Sequence, residues 1–357
     1  MEFIMWGLDC GNVSFGGKAD VALRSLALCI IDGEGEIVLE KALLCEVEDI
    51  TSCLEKFGHP VVRIGFEAGT MSQTLFHGLK ATGYDVVCME ARQVYAALSA
   101  MRNKTDKNDA RGIAQVLRSG WYNKVHIKSN DTHYDRLLLT ARKTVLRKCL
   151  DLEAEIRGLF KVFGIRLPSH VKRNRWDEAA RPIIEADKRL SFALMPMLDA
   201  RLILYKTYLE MEKRLRAVTN KDPVCLRLQT IPGVGPVAAL TFKAGVDDPT
   251  RFKSSRIVAA HFGLTPRRFQ SGEMDNIGRI SKAGDASVRG ALYSAANVLL
   301  MRITKSCALK TWGLRLARKK GRKRATVAVA RKLAVIMHRM WIDGTTFQWD
   351  DQEAAVN

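Results

Sequence analysis

Apolar residues form five short runs in the first 90 positions of the chain, separated by more polar stretches. The runs lie at 3–10, 21–31, 36–45, 61–67 and 84–89. Apolar or alternating runs of this length, bounded by turn residues, predict β-strands. The second and third runs are joined by Asp32-Gly33-Glu34-Gly35, and Asp-Gly between apolar runs predicts a hairpin.

Helical periodicity fills the remaining space of this region, at 47–57, at 71–82 and from positions 92 and 106. The resulting order β-β-β-α-β-α-β-α predicts a mixed sheet flanked by helices, the ribonuclease-H-like (RuvC-like) arrangement. With the helical remainder of the chain, the predicted fold class is α/β plus α.

A long helical pattern occupies 133–165, and its apolar positions recur at spacings of four and three, which is typical of a coiled-coil seam. The seam residues are Val145, Cys149, Leu152, Ile156, Leu159 and Phe163. A second helix repeats the pattern at Leu198, Leu202, Tyr205 and Leu209. The two helices could form an antiparallel hairpin within the chain, or each could pair with a partner subunit. Pro168 and the basic loop 172–175 separate them.

The rear of the chain predicts a mainly helical domain, with helices after Pro236 and at 251–262, 285–304 and 325–342, and a turn-rich hairpin at 263–283. The last fifteen residues are polar or acidic, which predicts a frayed end. The predicted domains are a ribonuclease-H-like domain (1–125), a coiled-coil spacer (126–220), a mainly helical C-terminal domain (221–343) and a flexible tail (344–357).

Charge changes this picture because the formal net charge of +19 is distributed unevenly. Residues 1–120 hold 12 basic and 16 acidic side chains, a net of −4, whereas 121–357 hold 45 and 22, a net of +23. A strongly basic rear half predicts binding of a polyanion, with nucleic acid as the favoured class. Eight scattered cysteines without a Cys-x-x-Cys pair argue against zinc and disulfide frameworks. No membrane span or signal peptide is predicted, so a cytoplasmic location is expected.

Four carboxylates form the first chemical constellation. Asp9 ends the first predicted strand and Glu67 the fourth, and Asp106 and Asp109 lie three residues apart at the start of a helix that Thr105 could cap. In a ribonuclease-H-like sheet these positions converge at one edge. Hard oxygen ligands suit Mg²⁺, with Mn²⁺ as the alternative, and a pair of such ions can assist phosphodiester cleavage. Each acid alone is common in purely structural settings.

The turn Gly233-Val234-Gly235, followed by Pro236, matches a helix-hairpin-helix pattern in which backbone N–H groups approach a DNA phosphate. A tight interhelical turn that requires positive φ explains the same glycines equally well. Further along, seven of the ten residues from Arg315 to Arg324 are basic and predict steeply salt-dependent binding of phosphates. The proposed phosphate-contacting residues of this run are Arg318, Lys319, Lys320, Arg322, Lys323 and Arg324.

Ser271 precedes Gly272 on a predicted turn, and four cations nearby could hold a phosphate: Arg267, Arg268, Arg279 and Lys282. A neutral serine is a weak nucleophile that needs a base, a metal or cationic surroundings. From the residues alone, a turn serine is the favoured interpretation.

Seven short blocks carry these residues, in this order: Gly7-Leu8-Asp9, Gly65 to Thr70, Lys104 to Ala110, Ile231 to Pro236, Phe262 to Arg267, Ser271-Gly272 and Ile280 to Asp285. Together they resemble the insertion-sequence recombinases with an Asp-Glu-Asp-Asp tetrad, the IS-one-ten family, relatives of the Piv-type DNA invertases. The resemblance covers nearly the whole chain. It implies that 1–125 is a RuvC-like metal-binding domain, that 126–220 is a coiled-coil spacer and that 221–343 is a transposase domain with a serine nucleophile. One departure is the glycine-rich loop 10–18, which is longer than the usual connection to the second strand.

The resemblance implies that Asp9, Glu67, Asp106 and Asp109 bind Mg²⁺ and that Ser271 attacks a DNA phosphodiester to form a covalent phosphoserine link. It also implies a structured non-coding guide RNA that pairs with donor and target DNA. Family members act as dimers and tetramers, in which the acids of one subunit complete the serine site of another.

The sequence therefore predicts an RNA-guided DNA recombinase, the transposase of a bacterial mobile element that is associated with the nucleoid when active. A protein-only site-specific invertase is the close alternative. A Holliday-junction-type nuclease would use the four acids without the serine. A non-catalytic nucleic-acid-binding scaffold would use only the basic rear half and the hairpin motif. If Ser271 is not the nucleophile, Ser281 is the next candidate.

Overall fold

The structure is a computed structural model that describes residues 3–9, 25–101, 103–168, 170–271 and 274–349, with backbone alone for 3–9 and Ile277. The loop 10–18 therefore lies outside the described residues. The chain divides into two compact units, 1–128 and 129–357. The domain boundaries predicted from the sequence, at 125, 220 and 343, remain predictions. The helices of the predicted spacer and those of the predicted C-terminal domain both lie in the second unit.

The first unit contains a five-stranded mixed sheet: β1 (Phe3–Asp9), β2 (Ser25–Ile31), β3 (Ile37–Leu44), β4 (Val61–Glu67) and β5 (Val86–Met89). The strand order is β3-β2-β1-β4-β5. β2 pairs antiparallel with both β1 and β3, whereas β1, β4 and β5 run parallel to one another. The order of elements predicted from the sequence is confirmed for this unit.

Helices cover both faces of this sheet: α1 (Val47–Phe57), α2 (Ser72–Ala81), α3 (Ala91–Leu98) and α4 (Asp106–Ser119). Side chains alternate along β2, so that Leu28 and Ile30 pack with α1 and α2, while Cys29 and Ile31 pack with α4. Burial on both faces explains why the central strands are nearly continuous apolar runs.

The second unit begins with α5 (Asn130–Val162), α6 (Trp176–Glu185) and α7 (Lys188–Lys221). α5 and α7 pack antiparallel within the chain: Arg142 of α5 pairs with Glu212 near one end, and Glu153 pairs with Arg201 further along. The intramolecular alternative of the coiled-coil prediction is therefore observed.

The predicted seam is only partly buried. Cys149 and Ile156 are buried, but Leu159 is 40% exposed and Phe163 63% exposed, while Phe160 takes the inner position. A straight helix with 3.6 residues per turn drifts away from a seven-residue repeat, which accounts for the shift. The sequence did not predict α6, whose Trp176 is buried between the two long helices.

The rest of the second unit is mainly helical. Its elements are α8 (Pro223–Leu228), α9 (Pro236–Val246), α10 (Ser255–His261), β6 (Pro266–Ser271), β7 (Met274–Ile280), α11 (Ala286–Met301), α12 (Ala308–Lys320) and α13 (Arg322–Asp343). β6 and β7 form the predicted hairpin. α12 was not predicted, and the helix predicted from 251 begins at Ser255.

The prediction of a flexible tail from residue 344 is wrong for residues 344–349. Phe347 is buried in the main core of the second unit, and its backbone N–H donates to Thr230 Oγ1 at 2.9 Å. The Lys305 ammonium lies 4.1 Å from the Trp349 ring centroid. These two aromatic residues provide the apolar surface that holds an otherwise polar segment in place. Residues 350–357 lie outside the described residues.

The seven cysteines in the described ranges are free and buried, as the absence of a disulfide pattern predicts. Within those ranges, no helix is both long and apolar enough to cross a membrane.

Candidate catalytic and nucleic-acid-binding sites

The carboxyl ends of β1 and β4 bring two of the predicted acids to one edge of the sheet. The strands are parallel neighbours, with Leu8 in register with Phe66, so that Asp9 and Glu67 are the last residues of adjacent strands. Glu67 is half-buried. The structure thus places these two positions side by side, as the sequence predicts.

Asp106 and Asp109 lie in the first turn of α4, with Asp106 exposed and Asp109 half-buried. Thr105 caps this helix as predicted, because its Oγ1 accepts the Asn108 N–H at 3.2 Å. Negative side chains here interact favourably with the positive end of the helix dipole.

A fifth acid, Glu40 on β3, fixes this turn against the sheet. Lys107 lies 2.9 Å from its carboxylate, and Arg111 makes a two-pronged contact with it. These bonds, that from Arg111 foremost, lower the pKa of Glu40 from 4.5 to about 2. Glu40 is in register with Cys29, which is in register with Gly7, two residues before Asp9. The first turns of α4 therefore lie near the end of β1.

This donor set fits a hard divalent cation in its chemistry, since carboxylate oxygens are the ligands that Mg²⁺ and Mn²⁺ favour. Two cations of α4, Lys107 and Arg111, pair with Glu40. Among the side chains that the structure describes, which exclude that of Asp9, no group of three or more acids, histidines or cysteines forms a metal site.

The turn between α8 and α9 contains Gly233 and Gly235, whose surroundings differ. Gly233 has φ +91°, and a Cβ there would lie 2.6 Å from the Ala295 carbonyl oxygen, so close packing on α11 requires glycine. Gly235 is the N-cap of α9, and nothing lies within 4 Å of a Cβ placed on it. A tight turn with positive φ therefore explains why residue 233 is a glycine. At Gly235 the space in front of the α9 N-terminus is open.

Ser271 is the last residue of β6 and is in register with Met274. Every residue of β6 is exposed, including Arg267 and Arg268. Arg268 forms a two-pronged ion pair with Asp275 at 2.6 and 2.7 Å, and Arg267 donates to the Ser281 carbonyl oxygen at 3.2 Å. Arg279 and Lys282 are exposed as well. Ser271 is thus accessible on a cationic hairpin, whereas Gly272 lies outside the described residues.

Ser281 lies at the base of the same hairpin and has a different environment. Its N–H donates to the Thr265 carbonyl at 2.9 Å, and its Oγ accepts the Ala283 N–H at 3.4 Å. The hydroxyl is half-buried and engaged in the loop, which favours Ser271 of the two serines as the accessible one.

The loop after Ser281 is held by backbone packing and by Arg289. Lys282 has φ +57°, uncommon for a residue with a side chain, and a Cβ on Gly284 would come 2.1 Å from the His261 carbonyl oxygen. Asp285 caps α11 and pairs with Arg136 at 2.7 Å. Burial alone would raise the pKa of Asp285, but Arg136 and the backbone N–H groups lower it below its ordinary value.

The basic run lies on two helices joined at Gly321, with its seven cations exposed. Arg318, Lys319 and Lys320 occupy the last turn of α12, where cations interact favourably with the helix dipole. Arg322, Lys323 and Arg324 occupy the first turn of α13, where their charges are repelled by the positive end of the helix dipole. A bound polyanion would offset this repulsion, so the arrangement favours a nucleic-acid surface over a merely solvated one.

Two family models match parts of this chain. A model described as the transposase IS116/IS110/IS902 family matches residues 225–312, and a DEDD-type IS110 transposase model matches residues 19–164. The chain belongs to the IS110/IS116/IS902 family of transposases. The first match includes Ser271 and both turn glycines, and the second includes Glu67, Asp106 and Asp109 but begins after Asp9.

Individual relatives of this family member carry transposase names. The transposase for insertion sequence element IS1111A of Coxiella burnetii is 33% identical over 244 residues, which is 66% of this chain and 66% of the relative. A putative transposase of Sinorhizobium fredii, y4pF/y4sB, is 28% identical over 71% of this chain and 66% of its own length. The transposase for IS1328 of Yersinia enterocolitica is 27% identical over 69% of this chain and 74% of its own. The match thus spans about two thirds of these relatives.

Two positioning residues of this family member were missed from the sequence. Glu40 lies in an apolar strand. An acid in such a strand could have indicated an ion pair, but the sequence does not show that the partners are Lys107 and Arg111. Arg289 lies in a helix with no motif around it, and its role depends on backbone carbonyls that only the fold brings together.

Proposed function

We propose that the chain is the DNA recombinase of a mobile element, which cuts and rejoins DNA through Ser271 with the help of a metal-binding acidic tetrad. The observation that carries this proposal is the exposed serine on a cationic hairpin in a member of a transposase family. The strand order β3-β2-β1-β4-β5, with acids at the carboxyl edge, supports a ribonuclease-H-like first unit.

In the proposed reaction, Ser271 Oγ forms a bond to a DNA phosphorus while the bond from that phosphorus to the leaving deoxyribose oxygen breaks. The serine loses its proton, and the leaving oxygen gains one. A hydroxyl of a second strand then displaces Oγ, which joins the strands and restores the serine. Because the phosphoserine link conserves the energy of the phosphodiester, rejoining needs no nucleotide hydrolysis.

Asp9, Glu67, Asp106 and Asp109 would hold Mg²⁺ or Mn²⁺, which supplies charge stabilisation to a bound phosphate. Glu40 keeps the α4 acids in place through Lys107 and Arg111. Arg267, Arg279 and Lys282 would offset phosphate charge beside the serine, and Gly235 with the basic run from Arg315 to Arg324 would hold duplex backbone.

The proposed partners are donor and target DNA, a structured guide RNA and further copies of this chain. Exposed apolar side chains on α5 and α7, among them Tyr134 (71% exposed), Leu137 (64%) and Ile203 (65%), support association of the long helices with a second copy. A protein-only invertase would share every feature except the RNA.

A plasmid recombination assay tests the function. Asp109→Asn should abolish joining of donor and target DNA while nucleic-acid binding persists, and Asp131→Asn, an exposed acid in the first turn of α5, is the matched control. Recombination by Asp109→Asn at the wild-type rate would contradict the tetrad. Sequencing the RNA that co-purifies distinguishes guidance, which predicts one specific structured RNA, from a protein-only invertase.

A further inference from the structure

One face of the β6–β7 hairpin carries Ser271 together with exposed apolar residues. Alternation along β6 puts Arg267, Phe269 and Ser271 on the same face. The register pairs Phe269 with Asn276 and Ser271 with Met274. We call this the serine face. Phe269 is 62% exposed and Met274 65% exposed.

The Phe269 ring leans across the hairpin rather than standing free. A Cβ placed on Gly278 would lie 3.6 Å from Phe269 Cε2, so the ring lies over the part of β7 where glycine leaves the backbone uncovered. Aromatic residues commonly cover cross-strand glycines in this way. The side of the ring away from Gly278 remains open, which gives a flat apolar platform two residues from Ser271.

The acidic charge that the structure describes in the hairpin lies away from this platform, whereas the cation of Arg267 shares its face. Arg268 and Asp275 pair on the opposite face, so the described acid of the hairpin is neutralised there. Residues 266–282 hold four basic and two acidic side chains, a net of +2. A polyanion would be attracted to this surface, and an exposed aromatic among cations is how proteins bind unpaired bases. An apolar protein partner would gain nothing from the cations.

We propose that Phe269 stacks on a nucleobase adjacent to the phosphate that Ser271 attacks, and that Met274 contacts the same nucleotide. Residues i and i+2 of a strand are about 7 Å apart, a separation that the sugar of one nucleotide can span between phosphate and base. An aromatic ring can stack on any of the four bases, so this contact is compatible with a DNA target that is selected by base pairing with a guide RNA. This inference rests on the proposed function of Ser271.

Photocrosslinking tests the contact without relying on catalysis. The Ser271→Ala protein, purified with its bound RNA, is mixed with DNA carrying 5-iodouracil at single positions around the junction of the element and flanking DNA. Irradiation should join one position to Phe269, as identified by mass spectrometry of the hairpin peptide. Phe269→Ala should remove the crosslink, and Phe192→Ala, an 89% exposed phenylalanine on α7, should leave it unchanged.

Strand-transfer rates give the second readout. In the wild-type background, Phe269→Ala should slow transfer by about 5- to 100-fold, the range expected for one lost stacking contact, and Phe269→Trp should restore it. Crosslinks confined to other peptides, or transfer by Phe269→Ala at the wild-type rate, would overturn the stacking proposal while leaving the serine in place. Transfer by Ser271→Ala at the wild-type rate would instead overturn the proposed function itself.

Discussion

Arg289 donates from Nη1 to the main-chain oxygen of Ala283 at 2.6 Å. The same nitrogen also lies 2.9 Å from the Gly284 oxygen and 3.3 Å from that of Phe262. One guanidinium on α11 thus joins the end of α10 to the loop in which Lys282 has positive φ. Arg289 is therefore a positioning residue for the base of the serine hairpin.

Arg289→Met should lower the free energy of unfolding by about 2 kcal/mol, because hydrogen bonds from a charged donor to partly buried carbonyls are lost. Urea unfolding measures this change. Arg339→Met is the matched control, since the ion pair of Arg339 with Asp343 is exposed, and it should change stability by less than about 0.5 kcal/mol. Equal effects of the two substitutions would show that Arg289 does not hold the loop.

Glu40→Gln should release Lys107 and Arg111 and lower the free energy of unfolding by about 1 kcal/mol at pH 7, a value reduced for solvent screening. The pKa of Glu40 is about 2 in the folded protein, below the ordinary value of 4.5. Its contribution is therefore complete above pH 4.5 and is lost as the pH falls towards 2.

Urea unfolding of the wild type and Glu40→Gln should show a difference at pH 7 that shrinks on acidification below pH 4.5. Glu34→Gln, an exposed acid in the β2–β3 turn, provides the control and should show no such trend. A difference that stayed constant or grew on acidification would mean that the ion pairs of Glu40 do not stabilise the first unit.

Gly233→Ala should mainly reduce stability, whereas Gly235→Ala should mainly reduce DNA binding. Gly233→Ala combines positive φ with a backbone clash and should lower stability by about 3 kcal/mol. Gly235→Ala has room for its methyl group and should lower stability by about 1 kcal/mol or less, yet weaken DNA binding, because the methyl group would occupy the space in front of the helix N-terminus. Fluorescence anisotropy with duplex DNA measures binding; unchanged affinity for Gly235→Ala would exclude a phosphate contact at this turn.

The basic run should determine the salt dependence of nucleic-acid binding. Replacing Lys319 and Lys320 together with glutamine should reduce the slope of log K against log salt concentration by about 1.8 for duplex DNA. Lys41 and Lys56, two exposed lysines of the acidic first unit, serve as the matched pair and should leave the slope unchanged. An unchanged slope for the first pair would indicate that these lysines do not contact phosphate.

Local patterns predicted much of the fold because local physical rules determine it. The bounds of α1 and β4 were predicted closely, since Gly58 ends the helix and Pro60 directly precedes the strand. The helix drift that exposes Phe163 and the burial of Phe347 were not predictable, because both depend on neighbours far away in sequence.

The same distinction holds for the candidate sites. Asp9 and Glu67 could be placed at one edge because parallel neighbouring strands end together, once the strand order was inferred. Ser271 gained significance only through the resemblance, since nothing in its local sequence distinguishes it from a turn serine. The roles of Glu40, Arg289 and Phe269 depend on register and backbone approach, which the sequence pattern does not show.

Trapping of the covalent intermediate tests the central claim most directly. The protein with its bound RNA is incubated with labelled donor and target DNA and Mg²⁺, denatured, and resolved by electrophoresis, and the adduct is mapped by mass spectrometry. We expect a protein–DNA species linked through Ser271, which Ser281→Ala retains and Ser271→Ala loses. A covalent species of undiminished yield in Ser271→Ala, or strand transfer by that variant at the wild-type rate, would contradict it.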